Sequence, residues 1–151
     1  MSNLAVLTGL SKNLNRQSNQ VNDLLKEFEQ KLYALNLGVE EWAYDDPLAT
    51  TPTNFYDGEK DREYRESYDV VLGWGRMGER YGLLIQSVTY RWEQDEWVMI
   101  NEGPRTPLLQ ASREVRIAAL EKVDSLIKAL TERVKRVVES ITVAERAIEK
   151  L

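Results

Sequence analysis

The chain has 151 residues, a hydrophobic fraction of 42%, a formal net charge of −5, and neither cysteine nor histidine. That length suffices for one domain with a real core. The missing residue types exclude disulfides, thiol nucleophiles, Cys- or His-based metal sites and every mechanism with an imidazole base.

The N-terminus has no basic region ahead of its apolar residues, and no run of 18 apolar residues occurs anywhere. No signal peptide and no membrane span are expected, and a cytoplasmic protein is the default. The acidic balance argues against a general nucleic-acid or anionic-membrane binder.

The first predicted element is a helix over residues 3–36. Leu4, Leu7, Ser11, Leu14, Ser18, Val21, Leu25, Phe28, Leu32 and Leu35 step along it by three and four, the seam of a coiled coil. Ser2 or Asn3 suits its N-cap. Gly9 weakens its first turns, which makes Ser11 an alternative cap. Asn36-Leu37-Gly38 ends it, with Gly38 supplying the left-handed residue.

Residues 39–103 read as a β insertion. Val39–Tyr44 is a short candidate strand; Ser67–Met77, Tyr81–Trp92 and Trp97–Asn101 are stronger ones, rich in β-branched and aromatic residues. Met77-Gly78-Glu79-Arg80 and Glu93-Gln94-Asp95-Glu96 are hairpin turns, so the strands form an antiparallel meander. Asp45–Glu66, with Pro47, Pro52 and Gly58, reads as a long loop. Residues 40–69 hold ten acidic and three basic side chains, so the insertion is acidic.

Ser112 is the expected N-cap of a last helix over 112–150. Leu120, Val123, Ile127, Leu130, Val134, Val137, Ile141, Ala144, Ile148 and Leu151 repeat the seam over the same 31 intervals as in the first helix. Matched lengths predict an antiparallel pair, with Leu35 near Leu120, Leu4 near Leu151 and the sheet at the connected end. The expected fold is thus α+β, a single domain over 1–151: two long antiparallel helices with a three- or four-stranded meander between them.

A second stripe flanks each seam: Val6, Leu10 and Leu24 on the first helix, and Leu126, Val138, Val143 and Ala147 on the last. Two helices alone cannot bury so wide a surface. The sheet folded back, a second copy or a different protein are its possible covers; the reading favoured is a homodimer through this stripe.

Three motifs bear on chemistry. Gly73-Trp74-Gly75-Arg76-Met77-Gly78 matches GxGxxG, but a strand follows it where a dinucleotide site needs a helix. Its glycines, with Gly82, instead predict a place where a large side chain or another backbone comes close, covered by Trp74 or Tyr81. Asp57-Gly-Glu-Lys-Asp-Arg-Glu starts like a calcium loop, but Arg62 and Tyr68 stand where Gly and Glu are required. Asp45-Asp46 are paired carboxylates without a visible pocket to separate their pKa values.

The functional expectation is a non-enzymatic interaction protein without cofactor or metal, a homodimer that presents its sheet and acidic loop to a second protein. The partner-facing residues are Phe55, Tyr56, Trp74, Arg76, Arg80, Tyr81, Tyr90 and Trp92, since Trp, Tyr and Arg are the usual anchors. Two alternatives are a single-stranded nucleic-acid module using the aromatic sheet and a carboxylate-based metal protein or enzyme.

Overall fold

The computed structural model describes residues 2–151. Ser2 opens the first helix: its hydroxyl accepts the Ala5 N–H at 3.2 Å, and α1 runs Asn3–Ala34 without a break at Gly9. Asn36 (φ 48°) takes the first left-handed position after the helix and Gly38 (φ 64°) a second, so the chain reverses over two such residues.

Six strands form one antiparallel sheet: β1 (Glu41–Trp42), β2 (Ala49–Asp57), β3 (Arg62–Met77), β4 (Arg80–Glu93), β5 (Glu96–Glu102) and β6 (Thr106–Pro107). The long β3 and β4 are central. On one side β3 pairs with β2 along its first part and with β1 at Gly73–Trp74; on the other, β4 pairs with β5 and, at Leu84–Ile85, with β6. A 3-10 turn (Leu108–Gln110) leads to α2 (Arg113–Glu121) and α3 (Val123–Glu149).

Most of the expected loop is therefore a strand. Ala49–Asp57 pairs residue by residue with β3, and only the stretch between β1 and β2 and a short turn are irregular. In that turn the Asp57 carboxylate accepts the Glu59 N–H at 3.0 Å, an Asx turn. Strand β2 is exposed along almost its whole length, so it lacks the apolar alternation that marks a half-buried strand. Pro52 is tolerated because β2 is an edge.

The antiparallel helix pair is also corrected. The Arg113 guanidinium donates to Asn15 Oδ1 at 3.0 Å, 98 residues apart in sequence, and Leu32 and Leu130, at the same separation, border one apolar groove. Residues of α1 and of α2–α3 thus meet in the same order, and the helices run in the same direction. Leu35 lies by Ile127 and Val134 rather than by Leu120. The last helix breaks at Lys122 (φ −115°, ψ 15°), whose ammonium binds the Pro47 carbonyl at 2.6 Å and the Asp46 carboxylate at 2.8 Å. No Gly or Pro marks this break; a tertiary ion pair holds it.

The sheet packs against the second half of α1 and against α2 with the start of α3, rather than beyond a helix end. Alternation sends Leu72, Trp74, Leu83 and Ile85 to one face, where they meet Leu25, Leu32, Leu108, Ala119, Leu126 and Leu130. Each fully buried leucine there contributes about 1.5–3 kcal/mol. The opposite face buries Val71, Leu84 and Val88 under Trp42, with Tyr44 and Tyr90 at its margin.

Both tight hairpins have two-residue loops. At Gly78-Glu79 the glycine has φ +66°, as a type II′ turn needs. At Gln94-Asp95 both residues are left-handed (φ 50° and 63°) without a glycine. The double substitution Gln94→Asn, Asp95→Gly should therefore stabilise the domain by about 1 kcal/mol. Urea denaturation would show it as a higher midpoint at unchanged slope; an unchanged or lower midpoint counts against it.

Candidate interaction surfaces

The covered stretches are the second half of α1, where Ser18, Leu25 and Leu32 are buried, and α2 with the start of α3, where Ala119, Leu126 and Leu130 are buried. At the start of α1, Leu4, Val6, Leu7, Leu10 and Leu14 are 42–72% exposed. At the end of α3, Val138, Ile141, Val143 and Ile148 are 53–69% exposed. Because the helices run the same way, these overhangs lie at opposite ends of the molecule. Of the flanking stripe, Val6, Leu10, Leu24, Val138, Val143 and Ala147 are exposed, whereas Leu126 is fully buried against the sheet and faces no second copy. The buried face of α3 takes from both rows: Leu126 of the stripe and Leu130 of the seam point inward, whereas the seam residue Ile127 is 41% exposed.

The eight sheet residues do not form one patch. Arg76, Arg80 and Tyr81 flank the β3–β4 turn; Phe55, Tyr56, Tyr90 and Trp92 lie toward the other end of β3. Tyr64 and Arg76 are separated by a dozen strand residues, roughly 40 Å at about 3.3 Å each. Trp74 is in the core, 2% exposed and stacked on Tyr81 with ring centroids 6.2 Å apart.

The far end of the sheet is a blade whose aromatic rings carry arginines of their own chain. On one face Arg65 lies 5.7 Å from the Trp92 ring and 5.4 Å from Trp97, and the two indoles meet edge to face at 5.3 Å. On the other face Arg91 sits 4.1 Å from Tyr64 and 5.4 Å from Phe55, and pairs with Glu66 at 2.7 Å. These are cation–π contacts of the ordinary kind. Each of these rings thus has a guanidinium of its own chain beside it, while Phe55, Trp92 and Trp97 stay 37–48% exposed.

Near the β3–β4 turn two carboxylates take the place of missing strand neighbours. Glu40 accepts the Arg76 N–H at 2.9 Å on the β3 edge, and Glu29 accepts the Leu83 N–H at 2.8 Å on the β4 edge. Gly75 and Gly82, paired across the hairpin, make room: a Cβ on either would lie 3.2–3.3 Å from these carboxylates. At Gly73 a Cβ would fall 2.2 Å from the Trp42 ring, so Trp42, and not Trp74 or Tyr81, fills that gap.

Glu40 also receives both terminal nitrogens of Arg105, at 2.9 and 2.8 Å. The Arg105 guanidinium holds its carboxyl below the usual glutamate value, against a smaller opposing effect of burial. A depressed folded-state pKa gives stability that is full above the unfolded value and lost as pH falls through the folded one. Glu40→Gln should therefore flatten the fall in stability below the ordinary glutamate range. At neutral pH it should cost about 1–2 kcal/mol, limited because both partners are about one-third exposed. Denaturation midpoints of both proteins from acid to neutral pH would test this; parallel curves would refute it.

Several concavities lie among the described residues. The groove of Leu32, Leu35, Leu37, Ile127, Leu130 and Val134 is apolar, about 250 Å³. A cleft of about 540 Å³ between α3 and residues 41–46 is lined by Glu41 and Arg136, paired at 3.5 Å, by Asp46, paired with Lys122, and by Asp45, Lys128 and Glu132. Lys122, and then the Ser125 hydroxyl, hold the Asp46 carboxyl below its ordinary value, the opposite of the shift a general acid near neutrality requires. A third, about 330 Å³, is lined by Tyr44, Asp45, Ser67, Asp69, Tyr90 and Trp97. Tyr90 alone of these was among the expected site residues; Asp69 and Ser67 carry no sequence signal beyond strand alternation.

No helix among the described residues is long and apolar enough to cross a membrane. Comparison of the chain with protein-family models, with curated proteins and with solved structures finds no match.

Proposed function

We propose that this is a non-enzymatic interaction protein, self-associating through its helical overhangs and offering its sheet to a second protein. The observation that supports it is the uncovered apolar stripe at the start of α1 and the end of α3. Both stretches keep the three-four spacing of a coiled coil beyond the point where their own chain covers them. A monomer rarely exposes contiguous apolar surface on this scale. A second copy carries the same stripes and so is a self-complementary cover. The arginine-bearing aromatic blade has the residue types of a protein-binding surface.

Light scattering over a range of concentrations tests this reading. A mass of two or more chains that persists on dilution supports it; a monomer at all concentrations overturns the self-association.

A further inference from the structure

We infer that the concavity of Tyr44, Asp45, Ser67, Asp69, Tyr90 and Trp97 is a binding site for an alkylammonium group.

Strand alternation builds it. Ser67 and Asp69 on β3 and Tyr90 on β4 project from the same face, and Trp97 on β5 joins them because it pairs with Trp92, two residues beyond Tyr90. Tyr44 and Asp45 come from the segment after β1 and close the other side. The result is three aromatic side chains and two carboxylates around one hollow, the composition that favours a compact organic cation.

Asp69 is the telling residue. It is 8% exposed, and its only hydrogen-bond donor among the described residues is the Ser67 hydroxyl, at 2.9 Å. Neither Asp69 nor Asp45 has a basic partner there, whereas Asp46, next in sequence, is paired with Lys122. A carboxylate so buried usually has a cation beside it. The nearby arginines are engaged: Arg65 lies over Trp97 and Trp92, and Arg105 is bound to Glu40. Burial, and then the charges of Asp69 and Asp45 among others, push the Tyr90 hydroxyl above its ordinary value, as a negative potential in the hollow would. The mouth is open and the volume small, which suits the end of a lysine side chain or a free amine better than a large cofactor.

The inference does not depend on self-association. A monomer in light scattering that binds ammonium would overturn that association and leave this site standing.

The test titrates n-butylammonium, 1-butanol as its neutral counterpart and the blocked tripeptide Ala-Lys-Ala into the full chain, followed by the NMR signals of the Trp97 indole and Tyr90 ring. Saturable shifts at roughly millimolar n-butylammonium, absent with 1-butanol, are expected. Asp69→Asn, which keeps the acceptor for Ser67, and Asp45→Asn should each weaken binding by roughly tenfold without changing the fold seen by circular dichroism. Tighter binding of the tripeptide than of n-butylammonium assigns the site to a partner's lysine; equal binding assigns it to a free amine. No saturation by roughly 100 mM n-butylammonium, an equal response to 1-butanol, or unchanged affinity in both variants overturns the proposal.

Discussion

Gly73→Ala is expected to destabilise the domain by about 3 kcal/mol or more, at the top of the range for overpacking a well-filled core. The added methyl would stand 2.2–2.5 Å from three atoms of the Trp42 ring. Neither side can yield easily. Gly73 is central in β3, paired with Leu84 on one side and with Trp42 itself on the other. Trp42 is 8% exposed and roofs Val71, Leu84 and Val88. For a domain of this size the loss corresponds to a fall in melting temperature of roughly 10 °C. The attribution to Trp42 is checked by a double-mutant cycle: in a Trp42→Leu background the same Gly73→Ala change should cost much less. If Gly73→Ala matches the parent protein, or costs as much in both backgrounds, the packing account is wrong.

Ile141→Glu is expected to convert an associated protein into monomers while leaving each chain folded. Ile141 is 53% exposed, so the substitution should alter the stability of the isolated chain by about 0.5 kcal/mol at most. In a symmetric contact both copies carry the new carboxylate into an apolar seam, and dissociation should strengthen by roughly 100-fold or more. Leu7→Glu makes the same test of the α1 overhang, where Leu7 is 61% exposed. Tyr68→Glu, on the sheet and 44% exposed, is the control and should leave the mass unchanged. If Tyr68→Glu dissociates the protein and the two helix variants do not, the interface is on the sheet.

The sequence shows the elements better than their arrangement. The three main strands stand out because β-branched and aromatic residues alternate there, and Gly78 marks one of the two tight turns, whereas Gln94-Asp95 is read from its polarity alone. Strand β2 is hidden because neither of its faces is buried: its threonines, Phe55 and Tyr56 flank Pro52 and Asn54 without apolar alternation. The helix direction misleads for a plain reason: heptad spacing gives the width and length of an apolar stripe but no information on which way its neighbour runs. The break at Lys122 depends on Asp46 and Pro47, more than seventy residues away. The edge caps of Glu29 and Glu40 leave only an indirect trace, the glycines opposite them. In the hollow, Tyr90 and Trp97 stand out as aromatic strand residues, but Asp45 and Asp69 come to one hollow only once the chain after β1 has run along the edge of β3.

The shared direction of the helices also governs the kind of assembly the overhangs would build. The exposed stripe of α1 projects from one end of the molecule and that of α3 from the other. If like meets like, α3 on α3 about a two-fold axis, the contact uses the same patch twice and growth stops at that joint. If α1 of one copy lies on α3 of the next, each addition leaves a fresh α1 stripe at one end and a fresh α3 stripe at the other, and copies add into a filament unless the rotation between them closes a ring. A finite dimer thus requires that one overhang alone pair with its own kind; use of both overhangs, alike or crosswise, extends the assembly.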